Sequence, residues 1–448
     1  MCGLLLTNKT ISSEKKFYET LCLRGPDSFQ YVSHNKISFI HTLLTITGIK
    51  SPQPLISEDI YLLFNGEIYN YQEIKQYESD GYFILDSYRN EGEDFIHNLD
   101  GEFALVIVDF KKEKLIYSTD VFGSKPLFFG FDGEEFGFSS YSKPLFDIGF
   151  KDVKKCNPNE VIIYDLKTHK QLLKKSVKNF KLNQYKNHFE DWNAAFLDSI
   201  KKRFKNVSYD ILLPLSSGHD SGIIACGFEL CSINFDSFSY KGSENIDILE
   251  NRIKRKNNHS KNLNKTILKE KFTNEERNNA IKYLKNYSEE FFYGPDNINL
   301  KSDISGFDDP GAHGLTHLLS VMKEENKNIK ILASGQGGDE IYSNLQNYHF
   351  GSSNPKKFPK KLNKVFPWEN FYYGAQSSYL AKEENIAGSF GIETRYPLLD
   401  FQVVQEYLHL SHKLKNKEYK SPISNFLRLN NYPFLEGDIK TLKRGFNV

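Results

Sequence analysis

The chain is 448 residues long, more than one hydrophobic core commonly serves, so two domains or three are expected. Its 58 lysines and arginines nearly cancel 57 acidic residues, and a net charge of +1 gives no footing for nucleic acid or an acidic surface as partner. Five cysteines, Cys2, Cys22, Cys156, Cys226 and Cys231, are odd in number and lack paired metal-ligand spacing, which argues against a disulfide framework or zinc site and for a reducing cytoplasm.

Met1-Cys2-Gly3 places a thiol one residue from the start, where loss of a single methionine would leave it beside a free α-amine. An α-amine has a pKa of about 8, so its neutral form can take the thiol proton near physiological pH, and nucleophile and base become one residue. Met-Cys starts also arise by chance, so the thiol needs partners further along. Leu4-Leu5-Leu6 is too short and lacks the basic start of a secretory leader, and no apolar run reaches the length of a membrane span. A cytoplasmic protein without membrane contact is expected.

From there to about residue 164 the apolar segments are short, aromatic or β-branched: 60–64, 103–109, 115–118, 127–131 and 161–164. This pattern predicts layered antiparallel sheet, and Asp132-Gly133 predicts a hairpin turn. Residues 165–187 turn polar and lysine-rich, and read as a linker. After Phe189 the pattern changes. A buried-type strand at 211–215 is followed by a loop of small polar residues at 216–221 and a helix at 222–230, and residues 329–340 repeat the strand-then-loop arrangement. Strand, loop, helix in this order predicts a parallel α/β layer. The charged, Asn-rich stretch 254–279 reads as surface helix or mobile loop.

Three short motifs lie downstream of Cys2: Arg24-Gly25-Pro26-Asp27, Asn65-Gly66-Glu67-Ile68-Tyr69-Asn70 and Asp100-Gly101-Glu102-Phe103-Ala104. A thiol that accepts an acyl group needs an oxyanion hole, and a side-chain amide beside a glycine N–H, as in Asn65-Gly66, supplies two donors. Glu67 and Asp100 could hold a substrate ammonium. Taken singly, each motif is equally an ordinary turn or loop cap.

Their order and spacing resemble the class II glutamine amidotransferase domain of the N-terminal nucleophile hydrolase superfamily. The resemblance implies that Cys2, freed of Met1, attacks the side-chain amide of glutamine, releases ammonia and leaves a glutamyl thioester for water to clear. It places Asn65 and Gly66 in the oxyanion hole, and Glu67 and Asp100 on the head of glutamine. The segment Asp120-Val121-Phe122-Gly123-Ser124-Lys125-Pro126-Leu127 also resembles that family, with Val121 in place of a usual arginine. His41-Thr42-Leu43-Leu44 departs from it, because an arginine that pairs with the glutamine carboxylate is missing there. Each hydrogen bond to a charged group is worth about 1.5–3 kcal/mol, so weak glutamine binding or a substitute cation is expected.

Ser216-Ser217-Gly218-His219-Asp220-Ser221 follows a strand and precedes a helix, a setting in which backbone amides can approach phosphate. It is equally well read as a plain polar loop. It resembles the Ser-Gly-Gly-x-Asp-Ser loop of the ATP pyrophosphatase superfamily, with Ser217 at a usual glycine. Ser334-Gly335-Gln336-Gly337-Gly338-Asp339-Glu340 is a second glycine-rich loop. With Glu393-Thr394-Arg395-Tyr396-Pro397-Leu398-Leu399-Asp400 and Lys443-Arg444-Gly445-Phe446, it resembles the synthetase domain of glutamine-dependent asparagine synthetases.

That resemblance implies an αββα nucleophile-hydrolase sandwich at 1–165, a linker at 166–187 and an ATP-pyrophosphatase-like parallel-sheet domain at 188–448. ATP would be gripped by Ser216, Ser217, Gly218, Asp220, Ser221, Ser334 and Gly335. Mg²⁺ would sit on Asp220 and Asp339, hard oxygen ligands of the kind it prefers beside phosphates. Lys420 falls where the family carries a lysine over the phosphates. Gln336 replaces a glutamate linked to ammonia addition and cannot act as a base. Arg395 and Asp400 read as a buried ion pair.

The implied reaction uses glutamine, ATP and a small carboxylate, makes an acyl-adenylate with release of pyrophosphate, and amidates it with ammonia. Partners are these small molecules, and the resemblance allows a homodimer. Rival readings keep the chemistry but change the acceptor to a sugar acid or other metabolite, close a lactam ring, or leave a degenerate nucleotide-binding homologue.

Overall fold

The computed structural model describes residues 2–11, 18–74, 76–260, 264–294, 304–344 and 353–436. The quoted run Lys443-Arg444-Gly445-Phe446 and Met1 lie outside the described residues.

The first half contains strands β1 (Gly3–Thr7), β2 (Ser28–His34), β3 (Ile37–Leu43), β4 (Leu55–Ser57), β5 (Ile60–Ile68), β6 (Gly101–Asp109), β7 (Lys114–Thr119), β8 (Phe128–Asp132), β9 (Glu135–Ser139), β10 (Val153–Lys155), β11 (Glu160–Asp165) and β12 (Gln171–Ser176). They form two six-stranded antiparallel sheets, ordered β10-β8-β9-β1-β3-β2 and β12-β11-β7-β6-β5-β4. Alternation along β1 shows why the layers form. Leu4 and Leu6 point into the core between the sheets with Phe39, Leu63, Val106 and Phe138, while Leu5 points outward against Leu21, Tyr141 and Phe150. Each fully buried leucine contributes about 1.5–3 kcal/mol. On the far side of the second sheet, Phe83, Ile84 and Tyr88 of the helix Asp80–Glu91 cover Leu62, Phe64, Leu105 and Ile107. The result is the expected αββα sandwich.

The expected linker differs in part. Gln171–Ser176 is β12, an edge strand paired along β11. Its one neighbour leaves most side chains in water, so lysines are tolerated there and the strand reads as polar in sequence.

The second half adds β13 (Asp210–Pro214), β14 (Asp236–Tyr240), β15 (Thr266–Lys269), the short pair β16 (Phe292–Tyr293) and β17 (Ile304–Ser305), then β18 (Ile329–Ala333) and β19 (Glu393–Arg395). A parallel five-stranded sheet runs β15-β14-β13-β18-β19. Both its faces are buried. Ile211, Leu213 and Ile331 face one helical layer, and Leu212, Phe238 and Leu332 face the other. The described residues of 254–279 end the helix Ile246–Ser260, supply β15 and open the helix Asn274–Tyr287, which starts in a Thr273–Glu276 capping box.

The first core layer of the second domain also takes in Leu44, Ile46, Val121 and Phe122. The two domains therefore share one packed seam, with the helix Ala375–Ser389 and strand β19 along it.

Candidate active sites at the domain seam

Cys2 is buried at the entry to β1, where its backbone N–H donates to Asn65 Oδ1 at 2.7 Å. That nitrogen is the one that methionine removal would turn into an α-amine. Asn65 Nδ2 is buried with no hydrogen-bond partner among the described residues, so a donor stands unused beside the thiol. Gly66 follows at φ +133°, and a Cβ there would lie 1.9 Å from Glu102 O, so only glycine fits. Burial raises the thiol pKa. The positive amino terminus and the Leu44 backbone pull it down, and Glu393 and Asp80 push it up.

The surroundings of the thiol are rich in buried carboxyl groups. Glu67 is pushed up to about 8 by burial and by Asp80, against the pull of Arg395, and Thr47 Oγ1 donates to its Oε1. Asp80 is pushed up to about 6 by burial, although its Oδ2 accepts from Ile68 N–H at 3.0 Å. Glu393 stays far below the usual carboxylate range. Burial would raise it, but the positive amino terminus, Arg395 and Lys125 outweigh that. Carboxyl oxygens clustered beside a thiol can accept hydrogen bonds from an ammonium group, whose arrival would favour the ionised forms of Glu67 and Asp80.

Sequence and structure differ on which aspartate joins Glu67. Asp100 is not brought to this cluster: its side chain pairs with Lys202 at 2.7 Å, at a narrow cleft of the seam also lined by Glu102 and Arg203. Asp80 occupies the place beside Glu67 instead. It follows Ser79 at the start of a helix and reads as an end-of-helix residue, and the Ile68 contact that turns it inward is tertiary. Arg395 and Asp400 also part company. Arg395 pairs with Glu393 at 2.8 Å and Glu67 at 3.2 Å, and Asp400 pairs with Arg203 at 2.7 Å and with Lys202. No cation comes from β3, whose last residue is the apolar Leu43. Two guanidiniums reach the thiol site: Arg24, whose Nε donates to Cys2 O at 3.0 Å, and Arg395, which comes from the other domain and pairs with Glu67.

At the second site the helix His219–Cys231 starts inside the predicted loop. Ser216 N–H donates to Ser221 Oγ at 3.0 Å, and Gly218 N–H to Ser216 Oγ at 3.2 Å. Arg252 clamps the carbonyls of Ser216 and Gly218 at 2.5 and 2.8 Å. Ser217 N–H and Oγ both donate to Glu244 Oε2, the former at 2.6 Å.

The second glycine loop packs onto the first through Asp220. A Cβ at Gly335 or Gly338 would come within 2.7 or 2.1 Å of Asp220 atoms. Lys420 Nζ lies 2.6 Å from Asp220 Oδ1 and 3.1 Å from Asp339 Oδ1, and Tyr419 Oη donates to Asp339 at 2.9 Å. Asp220, Asp339, Lys420, Ser334 and Gly335 thus meet at one place, at the loop ends of parallel strands β13 and β18. No group of three or more His, Cys, Asp or Glu side chains able to hold a metal ion occurs among the described residues. Two carboxylates on one side of the site are a donor set that fits Mg²⁺ held mainly by nucleotide phosphates. No described helix is long and apolar enough to cross a membrane.

Residues 1–194 match a family model described as a glutamine amidotransferase domain. The chain is 26% identical to a protein named glutamine-hydrolysing asparagine synthetase 1 from Methanocaldococcus jannaschii, over 92% of this chain and 74% of that protein. It is 25% identical to a protein of Acanthamoeba polyphaga mimivirus named as a glutamine-hydrolysing asparagine synthetase, over 87% of this chain and 74% of that protein. A solved glutamine phosphoribosylpyrophosphate amidotransferase from B. subtilis aligns at TM-score 0.33 and 16% identity, covering 53% of this chain and 65% of that one.

Proposed function

Because this chain is a divergent member of the glutamine-dependent asparagine synthetase family, we propose that it is an AMP-forming amidotransferase that activates a carboxylate with ATP and amidates it with ammonia from glutamine. The observation that carries the reading is Lys420, whose one ammonium binds Asp220 and Asp339 and so ties both glycine loops together at one place.

A carboxylate resists amidation because hydroxide is a poor leaving group. Adenylation replaces it with AMP. Backbone N–H groups of the 216–221 loop and the amino end of the helix His219–Cys231 suit the pyrophosphate, and Lys420 offsets its charge. Asp220 and Asp339 would hold Mg²⁺, whose chemistry is to shield phosphate charge. At the other site Cys2 attacks the glutamine amide, Asn65 Nδ2 and Gly66 N–H take the oxyanion, and Glu67 with Asp80 receive the substrate ammonium. Ammonia made there is released inside the seam, where it avoids conversion to ammonium.

A second reading keeps this chemistry with an acceptor other than aspartate. Its support is Gln336, whose amide donates to Glu383 at 3.1 Å where the family has a carboxylate on the loop.

The test is a pyrophosphate-release screen over L-aspartate, L-glutamate, succinate and D-glucuronate, run with glutamine and separately with ammonium chloride. Carboxylate-dependent pyrophosphate and AMP are expected. ADP and phosphate as products would overturn the reading.

A further inference from the structure

Gln336 and Glu383 form a hydrogen bond that brings a carboxylate to position 336 of the loop, where the side chain is a neutral amide. Gln336 Nε2 donates to Glu383 Oε1 at 3.1 Å, which uses one carboxylate oxygen. The other, Oε2, is out of solvent with no hydrogen-bond partner among the described residues. A buried carboxylate oxygen left without a donor is costly unless a ligand supplies one.

A second polar group opens on the same place. Gln376 lies seven residues earlier, two turns along the same face of the helix Ala375–Ser389. It is fully buried, and neither atom of its amide has a partner among the described residues. Its Oε1 is 3.8 Å from where a Cβ would stand on Gly337. The loop between these groups is the one whose Gly335 and Gly338 pack on Asp220, so the unfilled hydrogen-bonding capacity borders the nucleotide site.

The same helix reaches the thiol site through the next residue. Glu384 binds Arg24 at 2.7 Å and Lys125 at 2.9 Å, and Arg24 Nε donates to Cys2 O at 3.0 Å. Consecutive residues of one helix therefore face the place where ammonia would be made and the place where it would be used.

We propose that Glu383 is the base that receives a proton from ammonia as it attacks the activated carbonyl, with Gln336 orienting it and Gln376 helping to hold the amine. The proposal rests on the amidotransferase reading above. In the step, the ammonia nitrogen forms a bond to the carbonyl carbon, the bond from that carbon to the AMP oxygen breaks, and AMP leaves with the electron pair. The proton shed by nitrogen goes to Glu383 Oε2 and from there to solvent. Burial lifts the Glu383 carboxyl above its ordinary range although Ser334, Gln336 and Lys382 pull it down, and Glu384 adds to the rise, which suits a proton acceptor.

The experiment uses the full chain, ammonium chloride and the four carboxylates named above, and follows two signals: carboxylate-dependent exchange of pyrophosphate into ATP, which reports adenylation, and amide formation. Glu383→Gln is expected to slow amide formation about 100-fold, the low end for a general base, while exchange falls far less. The exchange of partners Gln336→Glu with Glu383→Gln moves the carboxylate across the same hydrogen bond, and is expected to regain at least about tenfold of the loss. Equal loss of both signals in Glu383→Gln, or unchanged amide formation, overturns the role of Glu383. Wild-type protein that exchanges pyrophosphate with none of the four overturns the amidotransferase reading itself, and the proposal with it.

Discussion

Arg395, on the last strand of the parallel sheet, meets Glu67, on the central hairpin of the thiol domain, in a 3.2 Å ion pair inside the protein. The same residue holds the other site by its backbone, since Arg395 O accepts from Ser334 N–H at 3.0 Å at the start of the glycine loop. One residue thus touches the carboxyl cluster beside Cys2 and the second glycine loop. Its carbonyl is fixed by sheet geometry, so one backbone position anchors both the guanidinium and the start of the glycine loop.

Arg395→Met should therefore be costly. It leaves Glu67 and Glu393 buried without their guanidinium, and breaking a buried pair costs about 3–5 kcal/mol. Thermal melting should show a fall of many degrees, with glutamine hydrolysis and amidation lost together. A melting temperature equal to wild type would show that the pair contributes nothing.

Cys2→Ala separates the two sites. Glutamine-driven pyrophosphate release should disappear, while the ammonium-driven reaction should stay within about twofold, because the alanine removes only the sulfur and leaves the Cys2–Asn65 backbone contact in place. Mass spectrometry of the purified protein should also find Met1 absent. Retention of Met1 would block the amine and remove Cys2 as a self-contained nucleophile and base.

Glu67 gives the stability a pH dependence of known sign. Its folded pKa is about 8 against an ordinary 4.5, so between these values the folded chain binds a proton that the unfolded chain does not. Stability from this group is full below about 4.5 and declines as pH rises towards 8, by up to about 1.4 kcal/mol per unit. Asp80, raised to about 6, adds in the same direction over its lower range. Glu67→Gln should flatten the fall of melting temperature between pH 5 and 8, and an unchanged slope would rule out this titration.

Much of this was legible before the structure because it depends on local pattern. Leu4-Leu5-Leu6 alternates between two cores as strand residues must, and the strand-loop-helix rhythm at 211–230 puts Asp220 in the loop just before a helix, which in the structure already begins at His219. What escaped depends on contacts far apart in the chain. Asp100 looked like the partner of Glu67 by motif, yet Ile68 N–H selects Asp80, and Asp100 is taken by Lys202. Arg395 and Asp400 are five residues apart and of opposite sign, but Arg203 from another helix takes the aspartate and Glu67 takes the arginine. The polar edge strand β12 and the Gln336–Glu383 bond were hidden for the same reason: neither sequence segment carries its partner.

The last prediction concerns Ser217, which stands at a usual glycine of the phosphate loop. Its N–H and hydroxyl both serve Glu244 Oε2, so a carboxylate occupies loop donors that a phosphate would use. The loop cannot satisfy both anions with one N–H, and like charges at that distance repel, so bound nucleotide must displace Glu244. Hydrogen bonds to a charged group are worth about 1.5–3 kcal/mol, and a neutral amide gives up roughly half of that. Glu244→Gln should lower the KM for ATP about tenfold in the pyrophosphate-release assay, with little change in kcat. Ser217→Gly, which keeps the N–H donor to Glu244 but removes the hydroxyl that binds Glu244 and accepts from Asn245 N–H at 3.1 Å, should move KM in the same direction by less. A rise in KM for both variants would mean that Glu244 shapes the loop for ATP instead of competing with it.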